Sequence, residues 1–121
     1  MEKQITTLLN AIVEDYARFT KGFHNPEKDV QEFKENLTVS EGSKYIRIDT
    51  KGSVWGFINK GNKKFQVGDL LKAAGYRAPA TNKARGNIFE TYSVAWTGPH
   101  YLADHSGGLA RGMAKPVKGD A

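Results

Sequence analysis

The sequence contains no cysteine. That excludes a disulfide framework, a thiolate zinc site and a cysteine nucleophile together. It has no apolar run approaching the roughly 20 residues of a membrane span, and no internal repeat. Large apolar residues are few: Leu, Ile, Val and Phe make 26 of 121. This lies just above the roughly one in five below which a chain fails to build a core. Full disorder is excluded, and one modest domain is the expectation. Signature loops of common catalysts are also missing, with no GxxxxGKS/T, no GxSxG and no HExxH. No catalytic residue, metal or cofactor is assigned, and the chain reads as a binding protein rather than an enzyme.

Acid is scarce in the middle of the chain. Residues 44–87 carry ten Lys and Arg against two acids, Asp49 and Asp69, a net of +8. Residues 1–43 are net −3, residues 88–121 are neutral, and the whole chain is +5. A basic block of this kind attracts anions, above all phosphate backbones. It also serves as a solvated lysine surface that blunts sheet edges.

What is present reads as helices first. Ile5, Leu8, Leu9, Ile12, Val13, Tyr16 and Phe19 recur at steps of three and four, the stripe of an amphipathic helix over about 3–21. Gly22 is placed to end it in the left-handed conformation. Asn25 caps a second helix, with Pro26 at its first position and Val30, Phe33 and Leu37 on its apolar face. From Lys44 the period changes to two. Tyr45–Thr50 and Val54–Asn59 alternate as a hairpin about Lys51-Gly52. Gly56 inside the second strand signals a bulge or a close approach by another group. Residues 64–67 read as a third short strand, 68–75 as a short helix, 76–87 as a loop, and 88–89 with 92–96 as a final strand or hairpin. The fold class is α+β: an N-terminal helical hairpin packed on a small antiparallel β-sheet of three to five strands. Residues 1–103 form the domain, with the hairpin over 1–40 and the sheet-rich part over 44–97. Residues 104–121 form a flexible basic Gly-rich tail. The expected core is Ile5, Leu8, Leu9, Ile12, Val13, Tyr16, Val30, Phe33, Ile46, Ile48, Ile58, Leu70, Leu71 and Val94.

The candidate site lies in the basic block. Lys51, Lys60, Lys63, Lys64, Lys72, Arg77, Lys83 and Arg85 supply charge, and Asn82 and Asn87 supply paired donors and acceptors. Arg offers a planar fork for phosphate, Lys a point charge, and an exposed ring a platform for a base. Trp55 and Tyr76 are the candidate stacking residues, and the competing reading of the hairpin has Trp55 or Phe57 packed under the N-terminal helices. The segment from Lys51 to Ile58 resembles the basic-glycine-aromatic strand of RNA-recognition domains, although the spacing differs and the surrounding βαβ order is absent. His100, Asp104 and His105 have ligand chemistry, but their spacing does not put both His on one helix face. They are read as a surface pair. Glu32-Phe33-Lys34 matches half of a nuclease pattern, on a helix and without a partner acid.

Residues 67–89, from Val67-Gly68-Asp69-Leu70-Leu71 to Gly86-Asn87-Ile88-Phe89, followed by Trp96-Thr97-Gly98-Pro99-His100-Tyr101-Leu102, resemble a pattern in small uncharacterised bacteriophage proteins. The resemblance covers about a third of the chain. It implies a setting, an infected bacterial cell, and carries no activity. The start Met1-Glu2-Lys3-Gln4 leads into a patterned helix rather than an apolar signal, so a cytoplasmic location is expected, that of the host if phage-encoded. The functional expectation is a non-enzymatic phage-type accessory protein binding nucleic acid, DNA or RNA, or another phosphate-bearing ligand. The alternatives are a modulator that docks on an acidic host protein, and a protein that sequesters a nucleotide. No membrane partner is expected, and the sequence sets no oligomeric state.

Overall fold

The computed structural model describes residues 1–100 and the strand Val117–Lys118. Helix α1, Glu2–Phe19, places Leu8, Ala11 and Ile12 in the core, with Ile5, Leu9, Val13 and Tyr16 packed around them. The helix ends at Thr20, whose N–H donates to the Tyr16 carbonyl at 3.0 Å and whose hydroxyl donates to the Ala17 carbonyl at 3.3 Å. Gly22 is not among the glycines with positive φ, so the expected glycine stop is replaced by this buried threonine. Helix α2, Pro26–Asn36, begins as its sequence dictates, with the Asn25 side chain accepting from the Lys28 N–H at 3.3 Å. Phe33 stacks on Tyr16 with centroids 4.1 Å apart.

Leu37 already has extended backbone. The chain continues directly into β1, Thr38–Glu41, a strand hidden within the expected helical hairpin. β2, Tyr45–Thr50, and β3, Ser53–Asn59, form the predicted hairpin, with Gly52 at φ +70° in its turn. β4 is only Leu70–Leu71, and the antiparallel order is β1-β2-β3-β4. The helix expected over 68–75 is therefore wrong. Leu70 pairs with Ile58 and Leu71 with Phe57, so the two leucines serve opposite faces. The other edge of this short stretch is closed by Arg85 N–H to the Leu70 carbonyl (2.7 Å) and Leu70 N–H to the Gly86 carbonyl (2.8 Å). A strand bonded on both edges has no room to coil. Residues 64–67 form turns instead of the expected strand.

β5, Thr91–Ala95, lies between β6, Gly98–His100, and β7, Val117–Lys118, in a second small sheet. The rest of the expected tail, with Asp104 and His105, lies outside the described residues. α1 packs on α2 and β5, and α2 packs on β2. The helices thus cover one face of the four-stranded sheet, where Ile46, Ile48 and Ile58 are buried. Ile88 and Tyr92 belong to this core without having been expected there, Trp55 takes the packed position that competed with stacking, and Val30 is only partly buried. Among the described residues no helix is long and apolar enough to cross a membrane.

One irregularity decides which residues face where. Ile48 pairs with Gly56, but Asp49 pairs with Val54, so Trp55 is an extra residue in β3. The bulge reverses the alternation and turns Trp55 into the helix-side core. There it is 2% exposed and its indole N–H donates to the Ala95 carbonyl at 2.8 Å. Gly56 meets both of its sequence expectations. A Cβ there would stand 3.0 Å from the Leu71 carbonyl and 3.4 Å from the Pro99 ring.

Candidate nucleic-acid interface

Strand alternation gives the sheet a second face, turned away from the helices. By register it carries Tyr45 and Arg47 of β2, Phe57 of β3 and Leu71 of β4. Phe57 and Leu71 are buried there, and the Tyr45 ring meets Phe57 edge-on at 5.9 Å. Arg47 lies against Asp49, its Nε 3.0 Å from the carboxylate. Its guanidinium lies over the Tyr76 ring, 4.7 Å from the centroid.

Tyr76 and Arg77 stand at the tip of a tight hairpin. Ala73 bridges to Pro79, and the Ala74 and Gly75 N–H groups both donate to the Ala78 carbonyl, at 3.0 and 3.2 Å. The tip leaves Tyr76 62% exposed. On one side of Tyr76 a surface hollow of about 340 Å³ is walled by Lys51, Gly52 and Ser53, with the carboxylates of Asp49 and, from the end of α2, Glu35. Further along the face, Arg77 joins Arg47, Tyr45 and Ser40 around a hollow of about 260 Å³. Beyond it the Tyr45 hydroxyl accepts from Asn62 Nδ2 at 2.8 Å. Lys63 and Lys64 follow Asn62 directly, and the Lys64 ammonium reaches the Thr81 carbonyl. Arg47, Tyr76 and Arg77 thus gather on the outer face, with Lys51 in the β2–β3 turn at one end of the hairpin and Lys63 and Lys64 on the loop after β3 at the other.

The loop that carries the lysines is held by a buried amide and carboxylate network. Asn59 is 1% exposed, donates to the Asn62 and Gln66 carbonyls at 3.0 Å each, and accepts from the Asn62 N–H. The two oxygens of Asp69 accept from the Gln66 N–H and from Asn87 Nδ2, both at 2.9 Å. Asn87 also donates to the Val67 carbonyl and accepts from the Phe89 N–H. Gly68, at φ +91°, closes the loop where a Cβ would collide with the Phe89 ring at 2.7 Å.

The candidate residues therefore divide. Lys51 and Tyr76 share one hollow and Arg77 lines the next, while Lys63 and Lys64 are exposed on the loop after β3, at the other end of the hairpin. Lys72, Asn82 and Lys83 are exposed on the neighbouring loops. Lys60 is engaged with Glu41 at 2.6 Å and with the Gly42 carbonyl. Arg85 is partly buried, with Nη1 donating to the Pro99 carbonyl at 3.2 Å. Asn87 and Trp55 are buried in structural roles. A ring that is 2% exposed offers no base a platform, so Trp55 is corrected from stacking residue to core residue. Arg47 and Tyr45 were missed, although the alternation of Tyr45–Thr50 already separates them from Ile46 and Ile48. Among the described residues no group of His, Asp and Glu could hold a metal ion.

His100 lies at the inner end of this region. Burial pushes its pKa below the ordinary value, Asp15 opposes the shift, and Arg85 adds to it. The folded protein therefore resists protonating the imidazole. Its contribution to stability is complete above about pH 6.5, the unfolded value, and is lost as pH falls through the lowered one. Urea unfolding at pH 7.5 and at mildly acidic pH should show this loss, and His100→Gln should reduce it. An NMR titration placing the His100 pKa at or above its ordinary value would contradict this.

Residues 1–110 match the model of a family of unknown function, DUF7717. Comparison with curated proteins and with solved structures returned no match.

Proposed function

We propose, for a chain that belongs to DUF7717, that it binds nucleic acid or another phosphate-bearing ligand without chemical turnover. One observation carries this reading. Arg47, Arg77 and Lys51 lie around or beside the exposed Tyr76, and the loop that follows β3 adds Lys63 and Lys64 farther along. The acidic N-terminal part, net −3 over residues 1–43, supplies the two helices on the other side. Such a polarised surface orients a polyanion before contact and holds it through backbone charge. Of the acids nearby, Asp49 is paired with Arg47 and Glu41 with Lys60, while Glu35 lines the hollow beside Lys51, so the charge left for a polyanion rests on Lys51, Arg77, Lys63 and Lys64. The hollows beside Tyr76 are open rather than closed, which favours a polymer over an enclosed nucleotide. The phage-like pattern at residues 67–89 suits a setting in the cytoplasm of an infected bacterium.

Fluorescence anisotropy of labelled DNA and RNA across a salt series tests the reading. Binding should weaken steeply with salt, by a log–log slope of about 0.7 to 0.9 per phosphate contact. Affinity no better than about 10⁻⁴ M at physiological salt for every nucleic acid would refute it.

A second reading, a protein partner, is favoured by a different surface. Phe19 and Phe23 are 51% and 46% exposed and meet edge-on at 5.3 Å, with Trp96 against Phe19 at 5.0 Å. An apolar hollow between the two helices adjoins Lys21. Exposed aromatic clusters of this kind are common at protein interfaces.

A further inference from the structure

Resting on the phosphate-binding reading, we infer that the outer face selects single-stranded nucleic acid, with one base stacked on Tyr76 and the flanking phosphates held by Lys51 and Arg77. Three observations converge on this ring. Among the described residues Tyr76 is the most exposed of the large apolar and aromatic side chains at 62%, although the turn that carries it is closed by hydrogen bonds on both arms. Its position is built from below. The Arg47 guanidinium lies over the ring at 4.7 Å, and Asp49 holds that guanidinium at 3.0 Å on a central strand of the sheet. One face of the ring is occupied by this cation, while the residue as a whole stays 62% exposed at the hairpin tip. Finally, cations stand on either side of it: Lys51 walls the hollow before Tyr76, together with Glu35 and Asp49, and Arg77 walls the one beyond, together with Arg47 and Glu41.

That spacing of groups suits a strand whose bases are splayed. In a duplex the base faces are already stacked on one another and only edges and phosphates are presented, so a projecting ring gains nothing. In a single strand every base offers a π-face, and an aromatic platform flanked by cations binds it with little regard to sequence. Arg47 completes the arrangement from the far side, since a guanidinium beneath an aromatic ring remains attracted to it while the upper face is used.

The test compares a labelled decathymidylate with a duplex of equal length, by anisotropy at two salt concentrations, for the wild type, Tyr76→Ala, Tyr76→Phe and Arg77→Gln. Base stacking lost with an aromatic ring is worth roughly tenfold in affinity or more. Tyr76→Ala should therefore weaken single-strand binding by at least about tenfold and leave the salt slope unchanged, because the ring carries no charge. Tyr76→Phe should bind as the wild type does. Arg77→Gln should instead flatten the slope by about one contact's worth. Duplex binding should be the weaker and should not respond to Tyr76→Ala. Equal binding of duplex and single strand, or no effect of Tyr76→Ala while the wild type binds single strands, overturns the stacking role and leaves the phosphate-binding reading standing. Failure of the wild type to bind either probe overturns both. Far-UV circular dichroism and melting of Tyr76→Ala confirm that an exposed hairpin tip has been altered and nothing else.

Discussion

Trp55→Ala should destabilise the fold by about 3–5 kcal/mol, the usual cost of emptying a large aromatic site in a core. The ring is 2% exposed among residues contributed by both helices and both sheets. The indole N–H also ties β3 to the Ala95 carbonyl of β5, so truncation removes a tertiary hydrogen bond along with the packing. Against a total stability of about 5–15 kcal/mol for a domain of this kind, the variant should sit close to its unfolding transition at ambient temperature. Trp55→Phe should recover most of the loss, and what remains reports the Ala95 hydrogen bond and the smaller ring. Urea unfolding followed by circular dichroism measures both. If Trp55→Ala unfolds within about 1 kcal/mol of the wild type, the bulge does not point this ring into the core. Trp55→Phe carries a further expectation for binding. Because the ring plays no part in the outer face, the folded variant should keep the wild-type affinity for nucleic acid.

The second large effect is expected at Asp69. Its carboxylate is the acceptor for a backbone N–H on one side of the lysine loop and for the Asn87 amide on the other. Alanine leaves two buried or half-buried donors without that partner, at about 1–3 kcal/mol for each one that water does not reach. The Asn87 amide keeps its bond to Val67, so the larger share should fall on Gln66 and the loop it anchors. Asp69→Ala should thus cost about 2–4 kcal/mol. It should also speed hydrogen exchange at Gln66 and Asn62 before the rest of the sheet is affected. Affinity for a polyanion should fall with it, because Lys63 and Lys64 are presented by this loop. Undiminished protection at Gln66 would show that the loop is held by other means.

Much of the fold was legible because period carries so much information. The α1 stripe, the Asn25-Pro26 helix start and the Tyr45–Asn59 hairpin about Gly52 all follow from spacing and turn chemistry. The failures share a physical cause. Leu70–Leu71 takes its extended form from two neighbouring segments that are distant in sequence, and no local pattern announces such pairing. Thr38–Glu41 is a short edge strand that pairs only with β2, and its exposed residues carry no burial pattern. Trp55 was ambiguous because alternation assigns sides only while the register holds, and the bulge opposite Ile48 and Asp49 breaks it there. For the candidate site, the charge block marked the right segment but could not sort its members. Lys60, Arg85 and Asn87 are engaged with partners far along the chain. Arg47, paired with Asp49 and read as an ordinary strand residue, turned out to support the exposed ring.

The outer face is proposed to hold a polyanion through Lys51, Lys63, Lys64 and Arg77. The direct measurement is the salt dependence of nucleic-acid binding for a variant with these four residues changed to Gln, beside a control with Glu27 and Glu32 changed to Gln on α2. If the four side chains each contact a phosphate, the log–log slope should flatten by about 3, with affinity lost alike for every sequence. The control should keep the wild-type slope. A fourfold variant that remains folded and binds with the wild-type slope and affinity would contradict the account.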